Sequence, residues 1–305
     1  MREQQPGCII ACVSLTVIAI VIVSTFMHAG WNLLARYDRS EGLFYKRMLI
    51  AIGVIGFVPA VTSEMLTRSL TPLAWACVVG SGISAGLYLF FLARAFESSD
   101  FTIVYPVARS LPVIFVALID VLRGRFLTPF GWAGILLVAA GCTLVPLTSF
   151  ADISLKRYFN RTSLWMLFAA LGTVGYTFLD KIAAEVVQSG PDTAARYGYI
   201  YFAISYVPYV AMLRTLHGEN SHNDTMGWKL AIPAAALSFA AYWLILWAYQ
   251  LSPYASYIVA FRQFSIVIGA VVAFIYYKER GVGVRLTGAL FITTGLVLIA
   301  GWGRL

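Results

Sequence analysis

The sequence predicts an all-α integral membrane protein with ten transmembrane helices arranged as two inverted five-helix repeats. Three observations lead there: charge is scarce, apolar runs of spanning length recur, and the two halves of the chain share short matches in a common order. Hydrophobic residues make up 60% of the 305-residue chain and charged residues only 12%. A soluble domain carries roughly 25% charged residues. So little charge cannot coat a soluble surface of this size, and the solvent that needs none is lipid.

The apolar runs come next. A spanning helix needs about 20 mostly apolar residues. Ten segments qualify, at roughly 9–34, 43–62, 72–95, 101–122, 128–149, 162–187, 196–215, 228–250, 255–277 and 284–302. The first follows Arg2 but is too long for a signal-peptide core and has no small-residue cleavage site after it, so an uncleaved helix is expected. The connections are short and leave no room for a soluble domain.

The net charge of +8 would suggest a nucleic-acid partner in a soluble protein. Here the cations lie between apolar runs, where Lys and Arg set topology and hold headgroups. No nucleic-acid partner is expected. Cys8, Cys12, Cys77 and Cys142 form no Cys-x-x-Cys pair and have no nearby His at metal spacing. They read as small buried hydrophobes, and no metal site or cofactor is expected.

The repeat is carried by several short matches. Gly30-Trp31-Asn32-Leu33-Leu34-Ala35-Arg36 in the first run parallels Gly175-Tyr176-Thr177-Phe178-Leu179-Asp180-Lys181 in the sixth. Ala95-Phe96-Glu97-Ser98-Ser99 parallels Ala248-Tyr249-Gln250-Leu251-Ser252, and Arg109 follows the first at the offset where Arg262 follows the second. Gly134 and Gly141 in the fifth run match Gly288 and Gly295 in the tenth. The halves are 1–152 and 153–305. Five spans per half is an odd number, so the second half enters the membrane upside down. Inverted repeats are a recurrent plan of secondary transporters, with the site where the halves meet.

Intramembrane charge is costly, about 2.5–3.5 kcal/mol on insertion scales, and points to function. Arg109 lies about 12 Å into its helix and Arg262 about 10 Å into its own. With the halves inverted, the two guanidiniums flank the midplane. Their planar forks suit a carboxylate or phosphate, so they are candidate ligands for an anionic group. The structural alternative is an internal ion pair with Asp120, Asp180 or Glu185. Tyr105 lies one turn before Arg109, and Pro106 and Pro112 flank it, where they bend a helix and free carbonyls beside a cavity. His28 and Asn32 share a helical face and, with Trp31, form a second cluster able to bond a substrate or a neighbouring helix. Asp180 could take a coupling proton or pair with an arginine. Tyr176, Tyr242, Trp243, Trp247 and Gln263 are candidate cavity linings. The small-residue pattern Gly82-x-x-x-Gly86 reads as packing.

These residues resemble the drug/metabolite transporter superfamily in its ten-helix EamA-type branch, along the whole chain. The matching text is His28-Ala29-x-Trp31-Asn32, Tyr105-Pro106-Val107-Ala108-Arg109, the stretch from Arg262-Gln263 to Ser265, and Lys278-Glu279-Arg280 leading to Gly288. Arg123-Gly124-Arg125 stands where the family usually has a Glu in the first half. The resemblance implies a transporter of a small organic metabolite across the cell inner membrane. It leaves open an organic anion, an amino acid or drug-like compound for export, or a lipid-linked phosphate or sugar to be flipped. The sequence holds no ATP-binding P-loop, so a proton gradient or a counter-substrate is the expected energy source.

An enzyme would need loop carboxylates or histidines in a fixed cluster. His217, Glu219, His222 and Asp224 share one loop with nothing to fix their geometry, so no enzyme is expected. Monomer and homodimer both remain open. So does orientation. Most loop cations sit on the 1–2, 3–4, 5–6, 7–8 and 9–10 connections, which puts the termini outside by the positive-inside rule; the resemblance implies both inside.

Overall fold

A computed structural model of the chain describes residues 14–37, 41–97, 101–152, 161–216, 225–277 and 281–303. Among them there are only helices: α1 (Leu15–Tyr37), α2 (Glu41–Thr67), α3 (Pro72–Glu97), α4 (Phe101–Leu122), α5 (Pro129–Leu144), α6 (Arg161–Val186), α7 (Pro191–Leu216), α8 (Thr225–Leu251), α9 (Ala255–Arg262), α10 (Phe264–Tyr277) and α11 (Val282–Trp302), with one 3₁₀ turn at Phe150–Asp152. α9 and α10 follow each other directly and form one span interrupted at Gln263, so eleven helices make ten spans. Seven spans are long and apolar enough to cross a membrane by length and composition alone. Large apolar side chains such as Val54, Val58, Leu122, Leu136, Val207 and Leu290 point outward. A soluble protein does not expose so broad an apolar surface; in a bilayer it faces lipid.

Local sequence sets several helix ends. Thr71 and Thr128 stand before Pro72 and Pro129. Their hydroxyls accept from the N–H of Ala74 at 3.2 Å and of Gly131 at 3.0 Å, capping first-turn donors, while proline at the first helical position lacks the donor that would go unused. α5 ends at Leu144, short of the predicted 149, because Pro146 cannot continue it; Val145 and Leu147 stay buried without being helical. α7 starts at Pro191, earlier than predicted, since its first turn is polar. Gly281 stands at φ 90° just before α11, and a side chain there would meet Thr148 at 2.7 Å.

The packing shows the inverted repeat. α1 packs on α8 and α3 on α6, while α2 packs on α7 and α5 on α11. Exchanging the halves turns the first contact into the second and maps the other two onto themselves. Single residues obey the same exchange. A methyl group at Gly134 would lie 2.6 Å from the Gly295 carbonyl oxygen, and one at Gly141 would lie 2.6 Å from that of Gly288. The repeat converts either contact into the other. Residue numbers rise along α5 as they fall along α11, so the two helices cross antiparallel, as inversion requires. Likewise Gly30 meets Leu237 and Gly175 meets the repeat-related Ser84. Without a side chain on either helix the backbones approach closely, which is how helices associate in lipid.

Candidate functional site: a central cavity between the halves

α1, α2, α3, α4, α6, α7, α8 and α9 surround two adjoining cavities. The first is lined by His28, Asn32, Arg109, Tyr176, Arg262 and Gln263, with Tyr88, Pro112 and Thr173. The second is lined by Trp31, Tyr88, Tyr176, Tyr201, Tyr242 and Ser238 among others. His28, Tyr88, Tyr176 and Arg262 belong to both and form the wall between them. The space open to the centre of a water molecule is about 40 Å³ in the first and about 50 Å³ in the second, room for a few waters.

The structure therefore brings together Arg109, Arg262, His28, Asn32, Tyr176 and Gln263, and sets Trp31 and Tyr242 beside them. The side chain of Tyr105 lies outside the described residues, as do those of Pro106 and Arg36. Asp180 is close by but behind Tyr242, and lines neither cavity. Trp243 is not a lining residue; its indole donates to the Pro191 carbonyl at 2.8 Å.

The two arginines are held differently. Both terminal nitrogens of Arg109 lie 3.2 Å from His28 Nε2, while Trp31 Nε1 points at His28 Nδ1 from 3.1 Å. Arginine and indole only donate, and a neutral imidazole accepts on one nitrogen. Arg109 and Trp31 therefore compete for one lone pair. Arg262 stacks over the Tyr242 ring at 5.5 Å, and among the described residues no carboxylate lies within ion-pair distance of it.

The carboxylates expected as internal partners of Arg262 are engaged elsewhere. Asp120 accepts from the Ser256 N–H at 2.8 Å, at the start of α9. Glu185 pairs with Arg123 at 2.6 Å, Arg125 at 2.7 Å and Lys181 at 3.2 Å. Asp180, 1% exposed, accepts hydroxyl hydrogen bonds from Ser81, Tyr197 and Tyr242. Lys181 also donates to the carbonyls of Tyr249 at 2.9 Å and Ser252 at 2.6 Å, closing the end of α8. The unpredicted break at Gln263 lies beside Arg262. Gln263 Nε2 donates to the Val259 carbonyl at 3.1 Å and Ser265 Oγ to that of Arg262 at 2.9 Å, so side chains satisfy the main chain where helix is lost. Gln263 Oε1 is buried without a partner.

The face that carries the α2–α3, α4–α5, α6–α7 and α8–α9 connections is knit shut. Arg196 pairs with Glu64 at 3.1 Å, Glu64 also accepts from the Leu70 N–H at 2.7 Å, and the Gln188 N–H donates to the Ser69 carbonyl at 3.2 Å. The cavity is displaced toward the opposite face: His28 and Asn32 lie in the second half of α1, Tyr88 in that of α3, and Met166 and Thr173 in the first half of α6.

Tyr88, Tyr201, Ser205 and Ser238 also line the cavities and were not singled out in the sequence. The repeat offers one signal: Tyr88 matches Ala241, which lines the same cavity. Cys77 and Cys142 are buried free thiols, as expected, while Cys8 and Cys12 lie outside the described residues. The described residues hold no group of three His, Cys, Asp or Glu able to take a metal ion.

No protein-family model matches the sequence, and no curated protein does. Solved structures do match. One, described as the crystal structure of a protein, superposes with a TM-score of 0.69 over 92% of this chain and 96% of its own, at 15% identity. At that identity the likeness shows the fold alone. The chain is a multi-pass, all-α membrane protein, and its fold is one that solved structures share.

Proposed function

We propose that the chain is a secondary transporter of the EamA type, which moves a small organic metabolite bearing an anionic group by alternating access between its two halves. The observation that carries this reading is Arg262, a guanidinium within a span that lines a central cavity with no carboxylate paired to it among the described residues. Leaving such a charge without a partner is expensive and is explained if a ligand supplies the counter-charge. Arg109 is its repeat-related partner and rests on a neutral imidazole, which an anion can displace. The phenol rings of Tyr88, Tyr176, Tyr201 and Tyr242 give the body of the substrate an apolar wall with polar edges. The cavities as they stand are too small for a metabolite, which fits a narrowed state of a carrier that opens to load.

The test is counterflow in proteoliposomes. Vesicles loaded with a mixture of unlabelled carboxylates and phosphate esters are presented with each labelled compound in turn. Accumulation of at least one organic anion, dependent on the internal load, is expected. Accumulation only of cations or neutral compounds would replace the anion with another substrate class, and equal leakage with and without the protein would end the transport reading.

A further inference from the structure

Asp180 lines neither of the two cavities, and its surroundings give it a use. Its carboxyl group is buried and gathers hydroxyls from three helices: Ser81 of α3 and Tyr197 of α7 on Oδ1, and Tyr242 of α8 on Oδ2. Among the described residues no cation forms an ion pair with it. On the side away from the cavity it lines a small cleft with Val187, Thr193, Tyr197 and Gln250. That cleft has about 10 Å³ open to a water centre, room for about one water, and it lies toward the knit face, beside the α6–α7 connection. On the cavity side stands Tyr242, whose hydroxyl touches Asp180 and whose ring carries Arg262.

The other groups that face Asp180 are few. Cys77 stands with Ser81 on α3, Tyr201 with Tyr197 on α7, and Tyr249 with Tyr242 on α8. Arg262 of α9 is the cation whose field reaches it. Lys181, next in sequence, turns its ammonium to the α8 carbonyls and Glu185. From α4, Asp120 and Arg123 face Lys181 and Glu185 instead.

Resting on the transport reading above, we propose that Asp180 is a proton-binding site, fed from the cleft on the knit face and coupled to the cavity through the hydroxyl of Tyr242. The ionised carboxylate only accepts, so the Tyr242 hydrogen must point at it. A proton arriving from water in the cleft forms one O–H bond on Oδ2 and takes the group from charge −1 to neutral. That new hydrogen is donated to the Tyr242 oxygen. The phenol then releases its own hydrogen from the carboxyl and turns it into the cavity, where an anion beside Arg262 accepts it. Proton and anion therefore bind together, and loss of the proton withdraws a donor from the anion.

Infrared difference titration of the purified protein, with no substrate added, tests this. A protonated-carboxyl band should disappear as pH rises, and a tyrosine C–O band should shift in step with it. Asp180→Asn should remove both changes, and Asp120→Asn should leave both. Tyr242→Phe should keep the carboxyl change and lose the tyrosine shift. A carboxyl change that survives Asp180→Asn, or no carboxyl change at all, overturns the site; a carboxyl change with an unmoved tyrosine band overturns the coupling. If Asp180→Asn fails to fold, carboxyl-labelled aspartate assigns the band. It should persist in Asp120→Asn and move in frequency in Tyr242→Phe, which removes a hydrogen-bond partner of Asp180. A labelled band unmoved by Tyr242→Phe or lost in Asp120→Asn overturns the site. The measurement needs no flux, so a failed counterflow assay and a failed titration are separate results.

Discussion

Arg262→Gln is expected to raise the half-saturating concentration of the transported anion, or lower its flux, by about 10–100-fold. Hydrogen bonds to charged groups contribute roughly 1.5–3 kcal/mol, and each 1.4 kcal/mol is about tenfold in affinity. Arg262→Lys should fall between the two, since an ammonium keeps the charge and loses the fork. Fold stability should change little, because the contact given up is a cation–π contact with Tyr242, worth about 0.5–2 kcal/mol. A combined Arg109→Gln and Arg262→Gln variant should carry no anion at all. Initial rates in proteoliposomes, set beside thermal unfolding of the same preparations, separate loss of site from loss of fold. Unchanged uptake by the folded double variant would remove the arginines from the site.

The second large effect is on assembly of the two halves. Gly141→Leu or Gly295→Leu should destabilise the protein by about 1–3 kcal/mol, the usual cost of forcing extra carbons into a packed interior, and toward the upper end here. At both positions the first atom of a side chain would lie 2.6 Å from a backbone oxygen of the facing helix. A backbone cannot swing aside as a rotamer can, so α5 and α11 must separate. Gly301→Leu is the control on the same helix, since nothing lies within 4 Å of its side-chain position. Thermal unfolding in detergent should show a lower midpoint for the first two variants and none for the control. A midpoint that falls equally in all three would assign the loss to helix insertion and not to the crossing.

The spans were legible because lipid imposes a simple rule on them, namely a long apolar run between polar breaks. Their ends were less so. The apolar text through Leu147 hides the stop at Pro146, and the polar turn Asp192-Thr193 hides the start of α7. The break at Gln263 carries no proline or glycine. It rests on Gln263 and Ser265 bonding main-chain carbonyls, a choice that depends on neighbours absent from the sequence. Arg109, Arg262 and His28 stood out in the sequence because polar groups in apolar helices need a reason, and all three line the cavity. Tyr88, Tyr201 and Ser238 were not, since tyrosine and serine serve equally well in helix packing. Asp180 was visible as a charge, but its place behind Tyr242 was not. Its repeat partner is Ala35, so symmetry gives no hint of the three hydroxyls around it.

Alternating access requires the two halves to move against each other and expose one cavity to each face in turn. Glu64 and Arg196 join α2 to α7 on the knit face at 3.1 Å, and α2 and α7 must part there for that face to open. The direct measurement is counterflow by a Glu64→Cys/Arg196→Cys variant with the native cysteines replaced, before oxidation, after oxidation to the cross-linked form, and after reduction. Flux should stop on cross-linking and return on reduction. Flux that continues undiminished in fully cross-linked protein would contradict alternating access through this face.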